Sequence, residues 1–310
     1  MTIFSKLRKS DESIRNYFVD VSHWQNIIDW EKLKNFDNGS IQMVMIKATD
    51  SNGLGRMFLD SKAIANIQGA ISVGLPFGVY HWLKDDVAPK TAVEFLMDNI
   101  GQYDPSIYNL DVEDTNFTHG ASDYVWRAQE YLKLIEESSG KKPKIYTAEW
   151  FMSQYLRAPL KNEGKDPSKY LGWMGLYDLW VAQYPNSKYD YLGNLTTPKI
   201  PEEWDEYKMW QFASNVYYPY PGVSEWANKW YANGWDLWGA NASKSFDMNV
   251  FHCSLEELIG DEVIVEPEIP EIPDECEAAR KILEIKIAEK SAKLNVLENK
   301  IDEINQIVVR

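Results

Sequence analysis

Cysteine and histidine are scarce in this chain, two and four among 310 residues. Cys253 and Cys276 make no disulfide framework, and no spacing resembles a zinc site, so a stapled scaffold or a metal centre is not expected. Positive charge is short too, with 32 Lys and Arg against 47 Asp and Glu and a net charge of −15. Without a basic stripe to track phosphates, nucleic acid is excluded as a partner. The same acidity gives no electrostatic adhesion to anionic membranes or wall polymers. No apolar run approaches the roughly 18 residues that a membrane span needs. The opening MTIFSKLRKSDESIRNYF has basic residues but no apolar core, so no signal peptide is expected. What the chain has in quantity is aromatics, 13 Trp and 18 Tyr. These serve packing first, but flat rings in clefts also suit the faces of sugars.

Short β-like runs recur along the chain. We read strands at 16–22 (NYFVDVS), 41–49 (IQMVMIKAT), 76–83 (PFGVYHWL), 106–113 (SIYNLDVE), 143–148 (PKIYTA), 178–184 (DLWVAQY), 207–214 (YKMWQFAS) and 246–251 (FDMNVF). Several are almost wholly apolar, the mark of strands covered on both faces. Helical patterns fit 57–70, 88–100 and 122–138, the last capped by Ser122 and followed by Gly140. Eight strands alternating with helices predict a parallel β/α barrel. The helices thin out after the fifth strand, so the second half is expected to be irregular.

Chemistry in such a barrel sits at the C-terminal ends of its strands. Asp20 lies late in the first strand, Asp111 and Glu113 end the fourth, and Asp247 sits in the last. Asp111 and Glu113 share a strand face, about 6–7 Å apart at ~3.3 Å rise per residue. Like charges that close favour keeping one carboxyl protonated. Carboxylates without metal ligands, in an aromatic-rich cleft, point to glycoside hydrolysis, with one acid protonating the leaving oxygen. Glu113 is the candidate acid, its proton affinity raised by Asp111. Tyr80, Trp82, Tyr146, Gln183, Tyr184 and Gln211 are expected on the same rim as sugar-binding groups. His81, alternating with Tyr80 and Trp82, faces the other way and is read as structural, and no role is given to His23.

Taken in order, DVSHWQ at 20–25, GVYHWL at 78–83, LDVE at 110–113, LWVAQY at 179–184, WQF at 210–212 and DMNVF at 247–251 resemble glycoside hydrolase family 25, the N-acetylmuramidases or lysozymes. The resemblance spans about 16–260. It implies an irregular TIM-like barrel of eight strands, five β/α units and then strands. It also implies cleavage of the β-1,4 bond between N-acetylmuramic acid and N-acetylglucosamine in bacterial peptidoglycan. By motif, Glu113 matches the family's catalytic acid and Asp111 its partner, while Asp20 and Asp247 match the site's other two acids. No cofactor is implied. Such enzymes occur as phage lysins, held in the host cytoplasm until release, or as virion components, which would add virion proteins as partners.

The chain departs from the compact pattern at both ends and once within. Residues 1–15 form a polar extension, and an aromatic-rich segment at 215–245 separates WQFAS from FDMNVF. From 261 to 274, DEVIVEPEIPEIPD reads as an extended linker. From 275 to 310, Leu283, Ile287, Leu294, Leu297, Ile301, Ile304 and Val308 form a heptad seam, broken by Arg280 and Lys290. A lone helix cannot bury that seam, so a coiled coil and a homo-oligomer are expected. Oligomerisation would substitute avidity for a wall-binding module.

Overall fold

The computed structural model of the chain describes residues 16–35, 39, 41–184, 198–213 and 247–260. Residues 1–15, the aromatic-rich segment, the linker and the heptad helix lie outside the described residues. All eight strands expected from the sequence form, each within two residues of its expected ends: β1 (Asn16–Val21), β2 (Ile41–Ser51), β4 (Phe77–Trp82), β5 (Ile107–Asp111), β6 (Lys144–Thr147), β7 (Leu179–Ala182), β8 (Met209–Ala213) and β9 (Asp247–Phe251). They pair in the order β1-β2-β4-β5-β6-β7-β8-β9, and β9 returns to β1, closing an eight-stranded barrel.

The barrel is not wholly parallel. β9 runs antiparallel to both β8 and β1. This corrects the all-parallel expectation and explains the position of Asp247. It stands at the start of its strand, and only an antiparallel strand brings its start to the rim where the others end. Asp247 is accordingly the register partner of Asp20. A short ninth strand, β3 (Met57–Leu59), folds back as a hairpin on β2. After a short first helix, α1 (Trp30–Lys34), the helix expected over 57–70 therefore begins later, as α2 (Ala63–Ser72).

Side chains alternate across each strand, and the inward set fills the barrel. Phe18, Met43, Met45, Ile107, Tyr146, Trp180, Met209 and Phe251 form one buried cluster. Phe18 packs on Trp180 at 5.5 Å between ring centroids, and Tyr146 meets Trp180 edge-on at 4.8 Å. Much of the aromatic content is thus core. Gly78 in β4 makes room for it: a Cβ there would meet Met45 Sδ at 2.8 Å and Ile107 Cβ at 2.9 Å.

Two long helices pack on each other outside the barrel, α3 (Pro89–Ile100) against β2 and α4 (Ala121–Ser139) against β5. Pro89 opens α3 at the first turn, where its missing N–H costs nothing. Ser122 does not cap α4. Glu163 does so from a distance, its carboxylate accepting from the backbone N–H groups of Ala121 (2.7 Å) and Ser122 (3.3 Å). The far end is as expected, with Gly140 at φ 70 and its N–H donating to Glu136. After β6 a helical stretch missed by the sequence reading runs through Glu149–Phe151, a π-helical turn at Met152–Arg157, and Ala158–Asn162. Residues 198–208, before β8, contain no helix.

Candidate active site

At the rim, three inward positions of different strands carry acids: Asp20 from β1, Asp111 from β5 and Asp247 from β9, with Glu113 two residues past Asp111. Asp20 is buried and held by two amides. Gln211 Nε2 and Asn249 Nδ2 each donate to Asp20 Oδ2 at 2.8 Å. Both amides are oriented in turn. Gln211 Oε1 accepts from the hydroxyls of Tyr146 (2.8 Å) and Tyr184 (2.6 Å). Asn249 Oδ1 accepts from Trp180 Nε1 at 2.8 Å. Each amide nitrogen therefore faces the carboxylate. Burial still outweighs these bonds and pushes the Asp20 carboxyl up to about 6.

The other pair is treated differently. Asp111 is buried, and its Oδ1 has no hydrogen-bond partner among the described residues. Burial, and then the charge on Glu113, raise its carboxyl well above the ordinary range. Glu113 is pushed up to about 7, first by burial and then by the charge on Asp20. The D-x-E spacing points to Asp111 as the cause of Glu113's retained proton. That expectation does not hold: desolvation of Glu113 itself leads, the charges of Asp20 and Asp114 add to it, and Asp111 is not among the causes. Lys47, inward on β2, opposes both shifts. Its ammonium bonds Asp50 at 2.8 Å and stands 4.8 Å from the Trp82 ring centre.

Other sequence-predicted residues take varied places. Tyr80 pairs in register with Lys47 and Asn109, and its phenol is raised by burial and then by the charges of Asp20, Asp111 and Asp247. Trp82 is partly buried beside Asp111, its Nε1 without a partner among the described residues. Tyr146, Gln183 and Tyr184 line an open groove with Glu113, and Gln183's side-chain oxygen accepts from the backbone N–H of Lys199. Gln211 lies beneath this groove as the link to Asp20. His81 is structural as expected: it bonds Thr49 Oγ1 at 2.9 Å, stacks on Tyr131 at 4.8 Å, and is lowered to about 4 by burial. His23 bonds Asp60 at 2.6 Å, and the charge of Asp60 is felt at Tyr80 with those of the rim acids.

Three site residues escaped the sequence reading. Asn249 lies two positions after Asp247, on the same strand face. Lys47 is the lone charge in the apolar run IQMVMIKAT. Trp150, 48% exposed, lies in the groove just past β6. Each carried a usable signal, since the rim rule applied to Asp20 covers them equally. No group of three or more His, Cys, Asp or Glu among the described residues is arranged to hold a metal ion. No helix among them is long and apolar enough to cross a membrane.

Known proteins share this arrangement of strands. The chain is 32% identical to the uncharacterized protein YegX of Escherichia coli O157:H7 over 172 residues, 54% of this chain and 55% of that one. It spans about half the length of the curated relatives it matches first. Over 74 residues it is 32% identical to lysozyme M1 of Streptomyces globisporus, 24% of this chain and 23% of that one. The fold resembles a family GH25 lysozyme from Aspergillus fumigatus, with 20% identity, a TM-score of 0.54, and coverage of 79% of this chain and 98% of that one. It also resembles a bacterial lysozyme from Streptomyces coelicolor, with 17% identity, a TM-score of 0.55, and coverage of 79% and 96%. The model for glycosyl hydrolases family 25 matches residues 19–220, which include the first strand's acid and the D-x-E pair. With that match over most of the barrel, the chain belongs to glycosyl hydrolases family 25.

Proposed function

We propose that the chain hydrolyses bacterial peptidoglycan as an N-acetylmuramidase, cutting the β-1,4 bond between N-acetylmuramic acid and N-acetylglucosamine. The observation that carries this reading is the Asp111–Glu113 pair, Asp111 buried and Glu113 partly buried, of which Glu113 opens on a groove and keeps its proton up to about pH 7. A general acid needs a pKa close to working pH, and desolvation supplies it here. A protein that only bound sugar would gain nothing from repelling carboxylates.

In the proposed reaction Glu113 gives its proton to the glycosidic oxygen as the C1–O bond breaks. The substrate's own acetamido oxygen attacks C1, forming a cyclic oxazolinium and leaving Glu113 as a carboxylate. A water molecule then opens that ring at C1 and passes its proton to Glu113, which restores the acid. Substrate assistance of this kind is a known departure from the two-carboxylate scheme. Asp111 Oδ1, buried and without a partner among the described residues, is an acceptor for the acetamido N–H and would hold its dipole toward C1. Asp20 and Asp247 stabilise the positive charge that develops at the sugar ring.

For biological role we infer wall lysis by a phage-type lysin, with residues 275–310 joining copies of the chain. The chemical claim is tested by digesting purified peptidoglycan with wild type and Glu113→Gln, followed by mass spectrometry of reduced products. Fragments ending in reduced muramic acid, absent with the variant, are expected. Reduced glucosamine ends would change the bond cleaved, and no release from several wall types would favour a glycan-binding protein.

A further inference from the structure

The groove beside Glu113 has a wall that the acid chemistry does not use. Trp150 stands there at the start of the helical stretch after β6, with Ser153 and Gln154 following on the π-helical turn. Its neighbour Phe151 is fully buried, whereas Trp150 leaves 48% of its surface exposed. The indole is nevertheless fixed. It makes near-perpendicular contacts with Phe151 and Tyr155, each at 5.9 Å between centroids and at 89° and 87°.

The element carrying the ring is locked from behind. Arg157, nine-tenths buried, reaches Glu149 with two bonds of 2.7 and 3.2 Å and Glu203 with two of 2.8 and 3.0 Å. Paired forks of this kind are directional and shed little freedom when a ligand arrives. Lys199 closes the groove's edge through Glu149 Oε1 at 3.2 Å. A π-helical turn widens the helix locally and recurs at functional sites. Here it turns the polar Ser153 and Gln154 outward beside the ring, both exposed.

An exposed aromatic in a fixed plane, flanked by short hydrogen-bonding side chains and next to a protonated acid, has the make-up of a pyranose subsite. Sugars offer a weakly polar C–H face to a ring and hydroxyls or acetamides to its edge. We propose that Trp150 is the stacking platform of a saccharide subsite adjacent to Glu113, taking an N-acetylhexosamine ring of the glycan, with Ser153 and Gln154 bonding its polar groups. This rests on the muramidase reading for its choice of sugar. Arg157 acts as a positioning residue, through Glu149 and the helical turn.

The test is calorimetric titration of the N-acetylglucosamine hexasaccharide into the full chain carrying Glu113→Gln, so that nothing is cleaved. Adding Trp150→Ala should weaken binding by at least about tenfold, and Trp150→Phe should recover most of it. Gln154→Ala, which leaves the aromatic packing intact, should weaken binding by a few fold and keeps the test valid if Trp150→Ala fails to fold. Equal binding by the Trp150→Ala and Gln154→Ala proteins and their parent, or binding by none of them, would overturn the subsite. Hydrolysis is scored separately. Trp150-dependent binding in a chain whose wild type releases nothing from peptidoglycan would keep the subsite and sink the hydrolase reading.

Discussion

The two sides of the barrel mouth handle buried carboxylates in opposite ways. Around Asp20, every donor is accounted for: two amides aim at one oxygen, and two tyrosines and a tryptophan aim the amides. On the other side Asp111 is as buried as Asp20 and Glu113 is partly buried, but Asp111 Oδ1 is left without a partner among the described residues. Buried polar groups are nearly always satisfied. A site that satisfies one acid with five side chains and leaves the next one short is spending stability where a ligand will supply the missing bonds. On the proposed mechanism, the difference separates a group held for electrostatics from groups held for reaction.

The comparison is broken most sharply at Glu113. Glu113→Gln should lower kcat by about 10²–10⁴-fold, the usual worth of a general acid, read as reducing ends released from purified wall. Asp111→Asn keeps shape and hydrogen-bonding reach but replaces a carboxyl with an amide that cannot ionise. It should lower kcat while leaving binding of the N-acetylglucosamine hexasaccharide within a few fold, by calorimetry. Equal rates for Asp111→Asn and wild type would remove Asp111 from the mechanism.

On the satisfied side the larger effect should fall on stability. Gln211→Leu strips one donor from buried Asp20 and orphans two tyrosine hydroxyls, so chemical denaturation should show a loss of about 1–3 kcal/mol. It should also raise the Asp20 carboxyl further, so the loss grows as pH rises past 6. The pH dependence of the wild type has a definite sign. Glu113 ionises near 7 in the folded chain against 4.5 for an unperturbed glutamate. The unfolded chain gives up that proton first, so the stability tied to protonated Glu113 is present below pH 4.5 and is lost as pH rises to about 7. Glu113→Gln should therefore raise the melting temperature at pH 8 and change it little at pH 4, by differential scanning calorimetry. The smallest effect on catalysis should come from removing residues 261–310. Light scattering should show a lower oligomer, with turnover of soluble wall fragments unchanged; an unchanged monomer for both chains would end the coiled-coil reading.

The strands were legible because continuous apolar runs such as IQMVMIKAT carry their signal locally. The rim acids were legible because strand ends can be counted. What the residues did not reveal depends on contacts distant in sequence. The antiparallel turn of β9 follows from how the chain returns after residue 246, which no local pattern encodes. Glu163 caps a helix more than 40 positions earlier, so Ser122, the nearer polar residue, was the natural wrong choice. Gln211 was expected to bind sugar, and its place as the link to Asp20 was hidden because its partners, Asp20 and Tyr146, lie 191 and 65 positions away. The spacing of Asp111 and Glu113 was visible, whereas the desolvation that dominates Glu113 belongs to the closed barrel.

The central claim is that Glu113, unlike an ordinary glutamate, keeps its proton near neutrality. Titrating ¹³Cδ-glutamate-labelled protein by NMR, with Glu113→Gln to assign the signal, measures it without substrate. The account predicts one glutamate carboxyl that titrates at about 7 and vanishes in the variant. A Glu113 signal titrating in the usual carboxylate range would contradict it.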